Sequence, residues 1–179
     1  MAEGFPTIEL TPDELREVAA YALACARPAV ELFERERPGD PRPRAALDAV
    51  GAFVDGGRRT KAIRDGAWAA LRAAREARDA GQAAADDAAR AACAAAGAAY
   101  LHPLAKATQV GHILGAAAHA ARAFELEAGG DPDVAAAHLA RACGLAGPVV
   151  VGVLRRYPAA PGGGGRVGEL MRQLDAALR

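Results

Sequence analysis

The sequence predicts an all-α fold, a single-domain bundle of about seven to eight helices. Fifty of the 179 residues are alanine, the residue with the highest intrinsic helix propensity. Apolar residues recur at helical spacing in segments that Gly and Pro separate. A chain of 179 residues can bury one core but is short for two ordinary domains. Because alanine buries little area, this alanine-rich core requires helices that approach closely.

The first helix has a complete N-terminal signature. Thr11 is placed as the capping residue, Pro12 as the first helical residue and Glu14 as the third, which together form a capping box. An apolar stripe at helical spacing follows. Pro28 lies inside this stripe and predicts a kink, because proline removes one backbone donor. The helix is predicted to end at Pro38-Gly39.

Two more helices are predicted before residue 81. Asp40 acts as the N-cap of the second, Pro41 is its first residue, and Gly56-Gly57 ends it. The third runs from about residue 60 to 80, with arginines and a glutamate on its outer side. Trp68 is the only tryptophan, and its large apolar side chain predicts a core anchor.

The remaining helices follow from the positions of proline and glycine. An alanine-dense helix should span about 82–100, and Pro103 should break or bend the chain. The next helix is predicted over 104–128, then one from Asp131-Pro132 to about 144, and a short apolar one over 149–157.

The sequence predicts that the C-terminal residues are organised separately from the helical bundle. We expect a helical bundle domain over residues 1–157, a Gly/Pro linker over 158–165, and a C-terminal amphipathic helix over 166–179. The leucines of this last helix fall on one side: Leu170, Leu174 and Leu178. The sequence leaves open whether that side docks on the chain's own core or on a partner.

Charge and cysteine usage limit the function classes. Lys and Arg number 22, as do Asp and Glu, and a balanced chain argues against a dedicated nucleic-acid binder. No signal peptide and no transmembrane stretch of about 18 apolar residues is visible, so a soluble, cytoplasmic protein without membrane contact is expected. Cys25, Cys93 and Cys143 are odd in number and in apolar contexts, which favours buried, reduced thiols.

The motifs of several enzyme classes are missing. The chain has no serine, so a serine nucleophile is excluded. The glycine run 162–165 is followed by Arg and Val rather than Lys and Ser/Thr, which excludes a phosphate-binding loop. No paired Cys or His motif for a metal occurs. We expect no cofactor and no metal, and the sequence favours a non-enzymatic protein without settling the point.

Two histidines lie on the helix predicted over 104–128. His112 and His119 are two turns apart, about 10 Å along the axis, and so cannot share one zinc ion. Gly111 and Gly115 predict that a second helix crosses this face closely. The sequence therefore favours hydrogen-bonded, structural histidines over histidines with a chemical role. His102, next to Pro103, has a weaker claim.

A second polar group begins the helix after residue 40. Arg42 and Arg44 lie in its first turn, where positive charge opposes the helix dipole. We infer that they form ion pairs with carboxylates elsewhere, in the same chain or on a partner. A partner within the chain is favoured over one on another protein, because arginine often ties a helix end to a neighbouring carboxylate.

Two stretches, residues 21–53 and 92–121, resemble the immunity-protein-5-like family of bacterial polymorphic toxin systems. The resemblance spans roughly residues 10–157 and excludes the C-terminal tail. It rests mainly on an Asp-x-Arg-Pro element and a His-Ile-Leu-Gly helix. The matching positions are Cys25, Asp40, Arg42, Pro43, Tyr100, His102, Pro103, His112 and Gly115. The resemblance implies an all-helical toxin-antitoxin component that binds and neutralises a cognate toxin protein.

An alternative function class stays open at this point. The candidate binding residues could instead converge on a small-molecule pocket of a biosynthetic protein or enzyme, with histidine as acid or base. The candidates are Asp40, Arg42, Arg44, Tyr100, His102, His112 and His119. The two classes differ in whether these groups line a cavity or fill a closed helix contact. A monomer and a homodimer are both compatible with the sequence.

Overall fold

The computed structural model describes residues 5–179, and within that range the chain forms eight α-helices and one 3₁₀ turn. The helices are α1 (Pro12–Glu36), α2 (Arg42–Val54), α3 (Lys61–Asp79), α4 (Ala83–Ala98), α5 (Val110–Glu127), α6 (Pro132–Leu145), α7 (Pro148–Leu154) and α8 (Gly165–Leu178). The described range contains no strand, only an isolated bridge between Thr7 and Leu104. The predicted all-α class is confirmed.

Helices α1 and α6 begin at the caps that the sequence predicts. Thr11 Oγ1 accepts a hydrogen bond from the Glu14 N–H at 3.2 Å, and Glu14 Oε2 accepts one from the Thr11 N–H at 2.9 Å. This is the predicted capping box. The helix continues through Pro28 to Glu36. Asp131 caps α6 in a similar way, by accepting a hydrogen bond from the Asp133 N–H at 2.9 Å.

The alanine-rich helix α4 is the central element of the bundle. It packs against α1, α2, α3 and α5, and all of its buried side chains are alanines. A side chain that ends at Cβ lets neighbouring helices approach closely. A Cβ on Gly115 of α5 would lie 3.5 Å from the Ala94 Cβ, so the predicted close crossing is confirmed there. It is wrong for Gly111, which has no neighbouring atom within 4 Å of that position.

The start of α5 differs from the prediction. The helix begins at Val110 rather than at residue 104, after a 3₁₀ turn over Ala107–Gln109. The preceding loop pairs with the N-terminal segment: the Ile8 N–H donates to the Pro103 carbonyl at 2.8 Å, and the Ala105 N–H donates to the Pro6 carbonyl at 3.0 Å. Because these long-range bonds hold the loop extended, it does not join the helix.

The C-terminal helix α8 docks on the chain's own core, against α5 and α6. Its three inward leucines, Leu170, Leu174 and Leu178, are buried. Asp175 is also buried; it accepts a hydrogen bond from the Ala160 N–H at 2.9 Å and pairs with Arg179. The segment before α8 is thereby bonded to the helix. That residues 1–157 form a domain of their own stays a prediction.

A buried carboxylate joins α8 to α5. Glu125 of α5 is 2% exposed and accepts hydrogen bonds from Arg122 at 2.7 Å and from Arg166 of α8 at 2.6 Å. These hydrogen bonds, that of Arg166 first, lower the pKa of Glu125. No local sequence pattern predicts this ion pair, because its partners are 41 residues apart.

The three cysteines are free thiols. Burial raises the pKa of Cys25 to about 11 and also raises the pKa of Cys93. Cys25 is buried as expected, whereas Cys93 and Cys143 are only partly buried. Thiols with raised pKa values carry little thiolate at neutral pH, so Cys25 and Cys93 are poor nucleophiles.

Helices α6 and α7 meet at a bend of 104°. Just after α7, Arg156 donates to Glu14 at 2.5 Å and to the Glu9 carbonyl at 2.8 Å, so this corner is fixed to the start of α1. Among residues 5–179, no single helix is long and apolar enough to cross a membrane. The pair α6 and α7 reaches that length and composition only when both are taken together across the bend.

Acid should destabilise the fold over a defined range of pH. The hydrogen bond from Arg156 lowers the pKa of Glu14 from 4.5 to about 2, and arginine partners also lower the pKa values of Glu34, Asp40 and Glu125. A carboxylate whose pKa is lower in the folded state stabilises it above the unfolded pKa, and this contribution is lost as pH falls through the folded value. We expect the free energy of unfolding to fall between about pH 4.5 and about pH 2.

Urea titrations followed by circular dichroism at successive pH values measure this loss. Glu14→Gln removes one of the titrating groups, so its free energy of unfolding should depend less steeply on pH. A wild-type value that stays constant across the window would contradict the expectation.

Candidate functional site

The seven residues predicted as binding candidates lie in five separate places. Asp40 and Arg42 share the corner between α1 and α2, and Arg44 lies further along α2. Tyr100 and His102 share a cleft after α4. The remaining two candidates, His112 and His119, lie two turns apart on α5. The structure therefore does not bring the predicted residues together in one pocket.

Arg42 is held by two carboxylates within the chain. Its Nε donates to Asp40 Oδ1 at 2.9 Å and its Nη2 to Asp40 Oδ2 at 2.7 Å. Its Nη1 donates to Glu76 Oε1 of α3 at 2.9 Å. The Arg42 hydrogen bonds lower the pKa of Asp40. Asp40 also accepts from the Arg42 N–H at 3.2 Å, so this group holds the start of α2 and ties it to α3. The predicted N-cap is wrong by one residue, because α2 begins at Arg42 and Pro41 is its N-cap.

Arg44 and His119 each join two neighbouring helices. Arg44 donates to both carboxylate oxygens of Glu34 on α1, at 2.8 and 2.7 Å. His119 Nδ1 lies 2.7 Å from Asp87 Oδ1 of α4. Both pairs match the structural role that the sequence favoured. Within residues 5–179, no three His, Cys, Asp or Glu side chains are grouped so as to hold a metal ion.

Tyr100 and His102 line a cleft of about 640 Å³, here called the basic cleft. Its other lining residues are Arg59, Thr60, Lys61, Arg64, Leu101 and Pro103. The Tyr100 hydroxyl donates to the Thr60 carbonyl at 3.1 Å. The guanidinium carbons of Arg59 and Arg64 lie 5.2 and 5.9 Å from the centre of the Tyr100 ring. The cleft thus combines an aromatic ring with several positive charges.

His112 lines a different depression of about 380 Å³, here called the apolar groove. Its lining residues are Ala67, Trp68 and Leu71 of α3, Cys93, Ala94 and Gly97 of α4, then Thr108, Gly111 and His112. The groove thus runs between α3 and α5, with small residues of α4 as its floor. Burial lowers the pKa of His112, and a hydrogen bond with the Gly97 backbone opposes that shift. His112 therefore favours the neutral form.

Trp68 is 55% exposed, so its prediction as a core anchor is wrong. The buried side of α3 consists of Ile63 and four alanines. At 100° per residue, position 68 points roughly 160° away from buried Ala70. The helical pattern of α3 therefore indicates an outward tryptophan, and the hydrophobicity of the residue alone was misleading.

Trp68 belongs to an outward helix face, the α3 ridge, defined by Lys61, Arg64, Trp68, Arg72 and Arg75. These five positions fall within roughly 80° of the helix circumference. No carboxylate among residues 5–179 lies within 4.0 Å of Arg64, Arg72 or Arg75. The three carboxylates of α3 are already paired: Asp65 with Lys61 at 2.6 Å, Glu76 with Arg42, and Asp79, at the C-terminal end of the same face, with Arg78 at 3.7 Å. The ridge thus presents a tryptophan among unpaired arginines.

The described residues thus form an all-α bundle with one basic, aromatic helix face. A family model described as "Imm-5 like putative immunity protein" matches residues 9–146, from just before α1 to the end of α6. The match covers most of the chain, and the chain belongs to this family. No curated protein and no solved structure shows significant similarity to it. The resemblance inferred from the sequence motifs is confirmed.

Proposed function

We propose that the chain is an immunity protein that neutralises a cognate toxin by binding to it. Membership of the immunity-protein family supports the class. The observation that carries the binding mode is the 55% exposure of Trp68 beside the apolar groove. An exposed tryptophan on a rigid helix offers a large apolar area to a partner, and Trp, Tyr and Arg dominate the binding energy of many interfaces.

The pairing of the polar residues supports a non-enzymatic role. Arg42 and Arg44 bind carboxylates of the same chain, and His119 contacts Asp87. A small-molecule site would instead need several of these groups to converge on one cavity. The biosynthetic alternative therefore has no observation in its favour.

Neutralisation by binding predicts a stoichiometric effect. An inhibitor that only covers its target protects in proportion to the amount bound, whereas an enzyme that modified a toxin would act at substoichiometric amounts. The genes on either side of the one that encodes this chain are the place to find the cognate toxin. Each neighbouring product can be expressed in a bacterial host with and without the chain.

We expect one neighbouring product to stop growth and the chain to restore it. The purified toxin and the chain should then form a complex of fixed stoichiometry in size-exclusion chromatography. A toxin of unrelated sequence, expressed in the same host, serves as the specificity control and should remain lethal. If no neighbouring product is toxic, or the chain leaves the toxicity unchanged, the proposal fails. Full protection at far below one chain per toxin would show that binding alone is not the mechanism.

A further inference from the structure

We propose that the α3 ridge and the apolar groove form the toxin-binding surface, and that they take an acidic protein surface with a central apolar side chain. This inference rests on the proposed function. The apolar side chain enters the groove beside Trp68, and the carboxylates around it meet the arginines of the ridge. The basic cleft continues the same positive surface, because Lys61 and Arg64 belong to both the ridge and the cleft.

Unpaired arginines determine the charge of the partner. The whole chain carries 22 basic and 22 acidic residues, so its overall charge attracts neither sign. On the ridge, however, Arg64, Arg72 and Arg75 are exposed and have no carboxylate partner within the described residues. A guanidinium fits a carboxylate through two parallel hydrogen bonds. A partner that supplies carboxylates at these positions pairs three charges that the fold leaves free.

The spacing of the ridge fits one continuous contact. Positions 64 and 75 are 11 residues apart on one helix, which corresponds to about 16 Å. Trp68 lies between the flanking arginines, so a partner that covers them also removes the indole from water. This arrangement is typical of an interface in which polar neighbours exclude water from an aromatic anchor.

The groove next to Trp68 supplies the apolar part of the contact. Its floor is formed by Cys93, Ala94 and Gly97 of α4, which are all partly exposed. The His112 ring borders this floor, 3.2 Å from where a Cβ on Gly97 would lie. Its volume of about 380 Å³ lies at the small end of the range for binding pockets. The groove therefore suits one or two side chains of a partner.

The charge of the ridge also argues against a second copy of this chain as the occupant. A two-fold symmetric dimer places the same patch on both sides of its interface. Such a dimer through the ridge would bring arginines against arginines, and like charges across an interface are unfavourable. An acidic partner has no such repulsion.

The positive charge of the ridge can be tested without any toxin. Trp68 is the only tryptophan, so tryptophan fluorescence reports on the ridge alone. Its fluorescence should be quenched more by iodide than by caesium at equal ionic strength, each relative to free N-acetyl-tryptophanamide, because a positive surface concentrates anions. The Arg64→Glu/Arg72→Glu variant should lose or reverse this preference. Arg27→Glu is the matched control: Arg27 is exposed on α1 and has no ion pair among residues 5–179. Equal quenching by the two ions in the wild type would overturn the charge assignment.

Binding to the ridge and groove is tested with the toxin that co-expression identifies. Trp68→Ala and Arg64→Glu/Arg72→Glu should each weaken binding by roughly 30-fold or more, the level of an interface hot spot. Leu145→Ala removes another exposed apolar side chain, which is 41% exposed on α6, and should bind like the wild type. Thermal melting should change little in these variants, since each replaced side chain is at least partly exposed, and a loss of binding without a loss of the fold would then report on the surface itself.

The outcomes separate this inference from the proposed function. One outcome is that the wild type neutralises the toxin while the ridge variants bind it equally well. That result would overturn the assignment of the ridge and groove as the binding surface and would leave the immunity function intact. A wild-type chain that does not neutralise the toxin would overturn the function. A homodimer that Trp68→Ala dissociates would assign the ridge to a second copy and overturn the acidic partner.

Discussion

Deleting residues 158–179 should remove most of the stability of the bundle. The deletion takes away Leu170, Leu174 and Leu178, which fill the interface of α8 with α5 and α6. Burial of each leucine contributes about 1.5–3 kcal/mol, and the whole free energy of unfolding of a typical domain is about 5–15 kcal/mol. The loss is therefore comparable with the total. The deletion also removes Arg166 and leaves buried Glu125 with Arg122 alone.

Thermal and urea denaturation followed by circular dichroism measure this effect. We expect the shortened chain to be unfolded, or to unfold at a much lower temperature than the full chain. Leu174→Ala in the full chain removes only one of these contacts and should lower the free energy of unfolding by about 2–5 kcal/mol. Gln173→Ala, at an exposed position of the same helix, is the matched control and should change little. A shortened chain that melts like the wild type would show instead that residues 1–157 are a self-sufficient domain.

Replacing Glu125 with alanine should be the most destabilising single change to a charged side chain. Glu125 is 2% exposed and holds Arg122 and Arg166 together. Its removal leaves two arginines beside each other without the carboxylate that neutralised them. Because these arginines retain some contact with water, we expect a loss of about 1.5–3 kcal/mol, the range for hydrogen bonds to charged groups. Leaving a fully buried charge without its partner would cost more.

A double-mutant cycle with Arg166→Ala isolates the contribution of this pair. The double variant should be clearly more stable than the sum of the two single losses predicts, because each single change already breaks the same interaction. Glu169→Ala is the matched control, since Glu169 pairs with the same arginine at 3.0 Å but is 52% exposed. An exposed pair of this kind contributes about 0–1 kcal/mol. Equal losses for the Glu125 and Glu169 variants would contradict the special role of the buried carboxylate.

Local features of the chain were the most predictable from its sequence. Thr11 and Asp131 cap their helices because a cap needs only residues within the next turn. Arg42 likewise bonds to Asp40, two residues away. Its second partner, Glu76, lies 34 residues away. No local pattern predicts such a contact, because it depends on how α2 and α3 pack.

The errors at α5 and Trp68 have different physical causes. Residues 104–106 have helix-compatible side chains, but the loop bonds to the N-terminal segment instead. This tertiary pairing overrides local propensity. The prediction for Trp68 is wrong for another reason: it follows the hydrophobicity of the residue, whereas the helical pattern of α3 places position 68 outward. The motif stretches that carry the family resemblance, residues 21–53 and 92–121, also leave out α3, so the ridge was not among the candidate sites.

The alanine side of α3 has a consequence for how the protein can evolve. The residues that hold α3 to the bundle are mainly small: Ala70, Ala73, Ala74 and Ala77. The outward residues of the ridge take no part in that packing, and substitutions at exposed positions usually change stability by less than about 0.5 kcal/mol. The exposed residues of α3 can therefore be substituted without repacking the core. A binding surface on this face can thus adapt to a changed partner through successive substitutions on a single helix.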